Sequence, residues 1–231
     1  MAGADQVCAD IRVDTVEALA ARVSESSKND RTLNERTLVA VAGAPGSGKS
    51  TISELLQAEL ESAQQLTAQI VPMDGFHYDN AILLERGLLS CKGAPDTFDA
   101  AGLKSLLTRL TSRPLVDVAV PVFDRESDLS RASARNIRCS SQVIIVEGNY
   151  LLLDTEPWSS LKSYFDTSVI IQTEKSILHQ RLMHRWLSLD FNEQDARLKV
   201  DENDMPNAMT VMSHSVQPDL VFINNTINDT H

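Results

Sequence analysis

Thr37-Leu38-Val39-Ala40-Val41-Ala42-Gly43-Ala44-Pro45-Gly46-Ser47-Gly48-Lys49-Ser50-Thr51-Ile52 places a short apolar run, a glycine-rich loop and the start of a helical pattern in immediate succession. Residues Gly43 to Ser50 fit G-x-x-x-x-G-K-[ST], and a strand before with a helix after is the context that gives this pattern its meaning. Glycines let the backbone curl so that successive N–H groups converge, and the helix adds its positive dipole end to the same point. Gly43, Ala44, Pro45, Gly46, Ser47, Gly48, Lys49, Ser50 and Thr51 are therefore the expected cradle for nucleotide phosphates. Lys49 is expected to bridge the β- and γ-phosphates, Ser50 to offer its hydroxyl to Mg²⁺, and Thr51 to support the helix start. A nucleotide and Mg²⁺ are the implied ligands of this loop. The order G-x-G-x-x-G of a dinucleotide loop is not met.

Outward from the loop the alternation continues. Ile52, Leu55, Leu56 and Leu60 fall near one helical face, and AQIVPM, VDVAVPVF, QVIIVEG, TSVIIQ and DLVFIN are strand-like runs separated by helical segments. This pattern predicts an α/β chain: a P-loop NTPase three-layer sandwich with a mainly parallel central sheet, helices on both faces and a helical lid. Val16, Leu19, Ala20 and Val23 predict a leading helix over about 14–24, so residues 1–36 read as a leading helix and connection. Residues 37–225 read as the catalytic domain, with a substrate insertion at about 75–100 and a lid at about 181–210, and 226–231 as a tail.

Composition narrows the class. Of 231 residues 42% are hydrophobic, which suits one globular domain with appendages rather than a disordered chain. Lys and Arg total 21 against 32 Asp and Glu, a net charge of −11, opposite to the footprint of a general nucleic-acid binder. Any anionic ligand must be held locally. No apolar run approaches the roughly 20 residues that cross a bilayer, and the first residues lack a secretory pattern, so a cytoplasmic protein without membrane partners is expected. Cys8, Cys91 and Cys139 are far apart and odd in number, which predicts reduced thiols. His179, His184 and His214 show no zinc spacing.

Phosphoryl transfer depends on alignment and charge neutralisation, so a loop of this kind in a kinase needs two carboxylates, one near the acceptor hydroxyl and one near the metal. Two acids stand at strand ends, where open parallel sheets collect ligands. Asp74, after AQIVPM, is the expected base or hydroxyl-orienting group, and Glu147, after Val143 to Val146, the expected direct or water-mediated Mg²⁺ ligand.

The segment Met73 to Asp99, with its D-G-F, E-R-G-L and K-G-A-P sequences, together with V-E-G at 146–148 and His214 to Phe222, resembles the phosphoribulokinase/uridine kinase family of P-loop kinases. The 73–99 stretch is similar to bacterial pantothenate kinase, while VEGNYLLLD with EPW and RWL resembles a branch with fructokinase-like or nucleoside-kinase-like members. The resemblance implies that Asp74 is the catalytic base and that Glu147 is the metal-associated acid. Val120 to Arg125 resembles the family's substrate-side P-x-Y-D-F segment but departs from it afterwards, where Asp128 stands in place of a histidine.

Arg181 and Arg185 are four residues apart and share a helix face from which guanidinium groups could reach phosphate. The family has lid arginines in this region. Arg185 is the preferred catalytic match, Arg181 the second and Arg197 a weaker third. His77, Arg125, Tyr78 and Arg86, with Lys92 and Asp99, are the substrate-pocket candidates, combining aromatic walls with donors and acceptors. The expected activity is transfer of the ATP γ-phosphate to a hydroxyl of a small metabolite: a sugar such as fructose, a nucleoside such as uridine, or pantothenate. An ATP-binding regulator without small-molecule kinase activity is the alternative. Partners are a small-molecule substrate and ATP, with no nucleic acid; a homodimer stays open as an assembly.

Overall fold

A computed structural model describes residues 11–28 and 35–226. Cys8, part of the connection before residue 35 and residues 227–231 of the tail lie outside the described residues. Strand β1 (Arg12–Val13) leads into helix α1 (Val16–Lys28), which begins where Thr15 Oγ1 accepts the Ala18 N–H at 3.2 Å. Then come β2 (Thr37–Gly43), α2 (Lys49–Ser62), β3 (Ala68–Pro72), α3 (Asn80–Glu85) and α4 (Ala100–Thr111). The chain continues through β4 (Val118–Asp124), β5 (Leu129–Ile137), β6 (Val143–Gly148), β7 (Thr167–Gln172), α5 (Lys175–Leu187), α6 (Glu193–Lys199), α7 (Met205–His214) and β8 (Leu220–Ile223).

The main sheet has six strands in the order β1-β8-β7-β2-β6-β3, and every pairing in it is parallel. Side chains alternate across a strand, so β2 feeds two cores at once. Leu38, Ala40 and Ala42 pack with Leu103, Leu107 and Leu110 of α4 and with Tyr150 and Trp158. Val39 and Val41 pack with Leu19 and Val23 of α1 and with Ile52, Leu56 and Leu60 of α2. Every residue of β2 is buried, as a strand covered on both faces must be, which explains its unbroken apolar run.

VDVAVPVF, residues 116–123, read from sequence as one more strand of the series, gives β4, which pairs instead with β5 in a separate antiparallel hairpin. The β5 sequence LSRASARNI carries two arginines and no apolar alternation, and all but its last residue is at least partly exposed, so neither periodicity nor composition marked it. The hairpin has a register irregularity between Val120 and Val122, and its Pro121 carbonyl presses on Gly75, where an added Cβ would lie 2.4 Å from that oxygen. Glycine after Asp74 is thus required by close approach of the hairpin, not by a turn with positive φ. Between β6 and β7 a 3₁₀ segment spans Trp158–Tyr164. No described helix is long and apolar enough to cross a membrane.

Candidate active site

The carboxyl ends of β2, β6 and β3 lie side by side, with Val41 paired to Glu147 and Glu147 to Pro72. This register brings the phosphate loop, Glu147 and Asp74 to one edge of the sheet. Gly48 has φ +82°, and a Cβ there would fall 2.5 Å from Asn224 Nδ2, so both conformation and space demand glycine. The loop is braced from outside. Arg181 Nη1 donates to the Gly46 carbonyl at 3.0 Å, and its Nη2 donates to the carbonyls of Asn224 at 3.2 Å and Thr226 at 2.6 Å. Asn224 Nδ2 donates to the Ser47 carbonyl at 2.8 Å. With these carbonyls held, the orphan N–H groups at the start of α2 remain for an anion.

Ser50 Oγ donates to Glu147 Oε2 at 3.3 Å, and Glu147 is only 7% exposed. Burial pushes its carboxyl above the ordinary range, Lys49 opposes that shift, and Asp74 reinforces it. A buried carboxylate whose neighbour is a hydroxyl suits a hard cation, and no group of three or more His, Cys, Asp or Glu accompanies it among the described residues. Mg²⁺ fits such a place because it takes few protein ligands and keeps its waters. Room for water is present: a cavity of about 390 Å³ beside Ser50 and Glu147 is also lined by Gln69 and Arg135.

Asp74 sits in a 3₁₀ turn, Met73–Phe76, directly after β3. Arg125, in the loop between β4 and β5, donates from Nη2 to Asp74 Oδ2 at 3.2 Å. His77 Nδ1 lies 2.9 Å from the Asp74 carbonyl, an acceptor that assigns the proton to Nδ1. The ring is flanked by Phe98 at 4.0 Å and Phe123 at 4.6 Å between centroids. Burial lowers the His77 pKa against the pull of Asp74, so the imidazole is neutral and keeps Nε2 as an acceptor.

Other candidates are placed differently. Lys92 donates to Asn80 Oδ1 at 2.7 Å and to the Asp128 carbonyl at 2.9 Å, and its ammonium pairs with Asp128 Oδ1 at 2.8 Å. Asn80 closes the ring by donating to Asp128 Oδ2 at 2.8 Å. Asp99 caps α4 by accepting the Gly102 N–H at 2.8 Å. The Arg86 guanidinium lies 4.3 Å from the centre of the Tyr78 ring, so these two residues face each other. Thr51 is exposed on α2.

The two arginines on α5, in the segment expected to form the lid, are placed differently. Arg181 is the brace described above, whereas Arg185 feels Arg125, Asp204 and Asp74 electrostatically. Trp186 Nε1 donates to Asp204 Oδ2 at 2.6 Å, and Asp204 ends a five-residue π-helical turn, Val200–Asp204. Asn203 of the same turn donates to the Lys92 carbonyl at 3.0 Å and ties this turn to the segment between α3 and α4. Arg197, the weaker candidate, pairs with Glu193 on α6. Sequence reading did not single out Asn203, Asp204 or Asn224. Asn224 had a usable signal, its place just after the last strand; the other two had none.

No protein-family model matches the chain. It is 35% identical over 187 residues to the uncharacterized protein YggC of Escherichia coli (strain K12), covering 80% of this chain and 77% of that one. It is 34% identical over 198 residues to a Schizosaccharomyces pombe protein named "Putative uridine kinase C227.14", covering 81% and 83%. Among solved structures, one titled "putative fructose transport system kinase" from Silicibacter sp. TM1040 superimposes with a TM-score of 0.85 at 41% identity, covering 90% of this chain and 99% of that one.

Proposed function

The chain belongs to the phosphoribulokinase/uridine kinase family of P-loop kinases, and on that premise we propose that it transfers the γ-phosphate of ATP to a hydroxyl of a small metabolite. The observation that carries this reading is the convergence of three strand ends, which sets Lys49 and Ser50, Glu147 and Asp74 around one crevice. The loop amides, the start of α2 and Lys49 hold the β- and γ-phosphates. Ser50 and Glu147 would hold Mg²⁺, which when bound offsets phosphate charge. Asp74 accepts a hydrogen bond from the acceptor hydroxyl, aligns its oxygen for in-line attack and takes its proton. Arg185 moves from the lid onto the transferring oxygens, where a fixed cation stabilises charge that develops during transfer.

The test is ADP release with ATP and Mg²⁺ across sugars, nucleosides and hydroxy acids, comparing wild type with Lys49→Ala and Asp74→Asn. A signal that depends on one acceptor and is lost in both variants is expected. Normal ATP binding with no acceptor-dependent ADP release would overturn the kinase reading in favour of an ATP-binding regulator.

A further inference from the structure

The chain from Glu193 to His214 is helical throughout and widens once, in the π-helical turn Val200–Asp204. Pro206 accounts for the widening: in a regular α-helix its ring would meet the carbonyl of Glu202, and it brings no N–H to bond there. The turn aims Asn203 at the Lys92 carbonyl and Asp204 at the Trp186 indole, whose Nε1 donates to Oδ2 at 2.6 Å. Asp204 is only 8% exposed, and this is its one hydrogen bond among the described residues.

A carboxylate is more than that bond needs. A neutral amide oxygen would satisfy the indole N–H, and burying an ionised carboxylate is unfavourable unless a cation answers it. Two cations flank the same ring: Arg185 Cζ and Lys199 Nζ each lie 5.8 Å from the centre of the Trp186 indole. Phe191 packs edge-on against Trp186 at 5.0 Å and holds the ring in its plane. Burial pushes the Asp204 carboxyl up, and the Trp186 N–H, Arg185 and Lys199 pull against it. Burial and Arg125 push the Arg185 guanidinium down, and Asp204 and then Asp74 oppose them. Yet among the described residues the Arg185 guanidinium makes no hydrogen bond and no ion pair. Drawn by Asp74 alone, it would settle on the carboxylate assigned to the acceptor hydroxyl, and both groups would be spent.

From this cluster we propose that Asp204 is a positioning residue for phosphoryl transfer: its carboxylate holds Arg185 at a distance and off Asp74, so that the N–H donors of the guanidinium stay free for the oxygens of the transferring group. The proposal rests on the kinase reading and gives the readiness of Arg185 a cause. It also accounts for aspartate where asparagine would serve the fold better, since a site kept for activity commonly costs stability.

The test is a double-mutant cycle on the full chain. It is read by affinity for Mg²⁺-ADP with aluminium fluoride, a mimic of the phosphoryl group in transfer, with Mg²⁺-ADP alone as the ground-state control. Asp204→Asn should weaken binding of the fluoride complex about tenfold and leave that of Mg²⁺-ADP within about twofold. Arg185→Gln should weaken the fluoride complex about 10²-fold, and the double variant should be no weaker than Arg185→Gln alone. Asp204→Glu, which keeps the charge, should recover part of the loss. With whichever sugar, nucleoside or hydroxy acid supports turnover, Asp204→Asn should lower kcat about tenfold and leave the acceptor KM within about twofold. Asp204→Asn should also melt no lower than wild type, which separates these losses from unfolding. Unchanged affinity and kcat in Asp204→Asn would overturn the proposal. So would additive losses in the cycle, which make Asp204 act apart from Arg185, or a raised acceptor KM at constant kcat, which makes it a substrate contact. A wild-type chain that binds ADP, gains no affinity from aluminium fluoride and turns over no acceptor would instead defeat the kinase reading itself.

Discussion

The phosphate side and the acceptor side of the crevice are built by opposite means. On the phosphate side the groups proposed to meet the ligand come from consecutive residues, Gly43 to Ser50, and chiefly from the backbone and one helix start. On the acceptor side they come from five separate places: the turn after β3, the insertion, the β4–β5 hairpin, the end of β6 and the lid. A loop that shapes itself can be braced from outside, as Arg181 and Asn224 do here. A pocket assembled from distant parts must be held by the side chains that line it, and those side chains are then no longer available to the substrate.

The largest expected effect separates the two sides directly. Asp74→Asn should lower kcat by about 10²–10⁴-fold, the range for loss of a positioned acid–base group, with ATP affinity unchanged in a binding titration. Lys49→Ala should lower turnover by about 10²–10³-fold and weaken ATP binding as well, since its charge meets phosphate both before and during transfer. If Asp74→Asn weakened ATP binding as much as Lys49→Ala, the division between the sides would fail.

Next is the acceptor wall. Lys92→Met removes two charge-assisted hydrogen bonds and an ion pair and should raise the acceptor KM by about tenfold, with the ATP KM unchanged in steady-state kinetics. Arg181→Ala addresses the other side through the fold: without its bonds to the Gly46, Asn224 and Thr226 carbonyls, stability should fall by about 1–3 kcal/mol in denaturant titration. Mg²⁺-ATP should restore part of that loss, because a ligand that binds only the folded loop stabilises it.

The smallest effect concerns the lid. Burial raises the Asp204 carboxyl above its ordinary value, so the folded state favours its protonated form. That contribution is present below the unfolded value and is lost as pH rises through the folded one. Asp204→Asn keeps an acceptor for Trp186 Nε1 and removes the charge, so at pH 7 the variant should melt about 1 °C above wild type. The gap should close as pH falls toward about 4 in a melting series.

How much was legible follows the same division. The β2 run and the loop after it were readable because their meaning is local: apolar residues in an unbroken series, then glycines, then a lysine at a fixed offset. Asp74 and Glu147 were readable as acids at strand ends, and the parallel register brought them beside the loop. The leading helix was readable as an element, yet it extends to Lys28 because polar residues at its end do not interrupt it. Strand β5 was not, since its pairing with β4 stabilises a segment that composition describes as an exposed loop.

Arg181 and Arg185 show where local reasoning stops. Both lie on one helix face, with the same chemistry and nearly the same sequence surroundings. One reaches the phosphate-loop carbonyls and the other stands near Asp74 and Asp204. Sequence alone determined the α/β class, the anion-binding loop and the pair of acids, because these depend on periodicity and on short-range backbone geometry. Only the tertiary structure decided that Arg125 meets Asp74, that Lys92 closes on Asp128 and that Arg181 braces the loop. Those partners are separated by 51, 36 and 135 residues, and a hydrogen bond is specified by where two chain segments meet in space, which spacing along the chain does not encode.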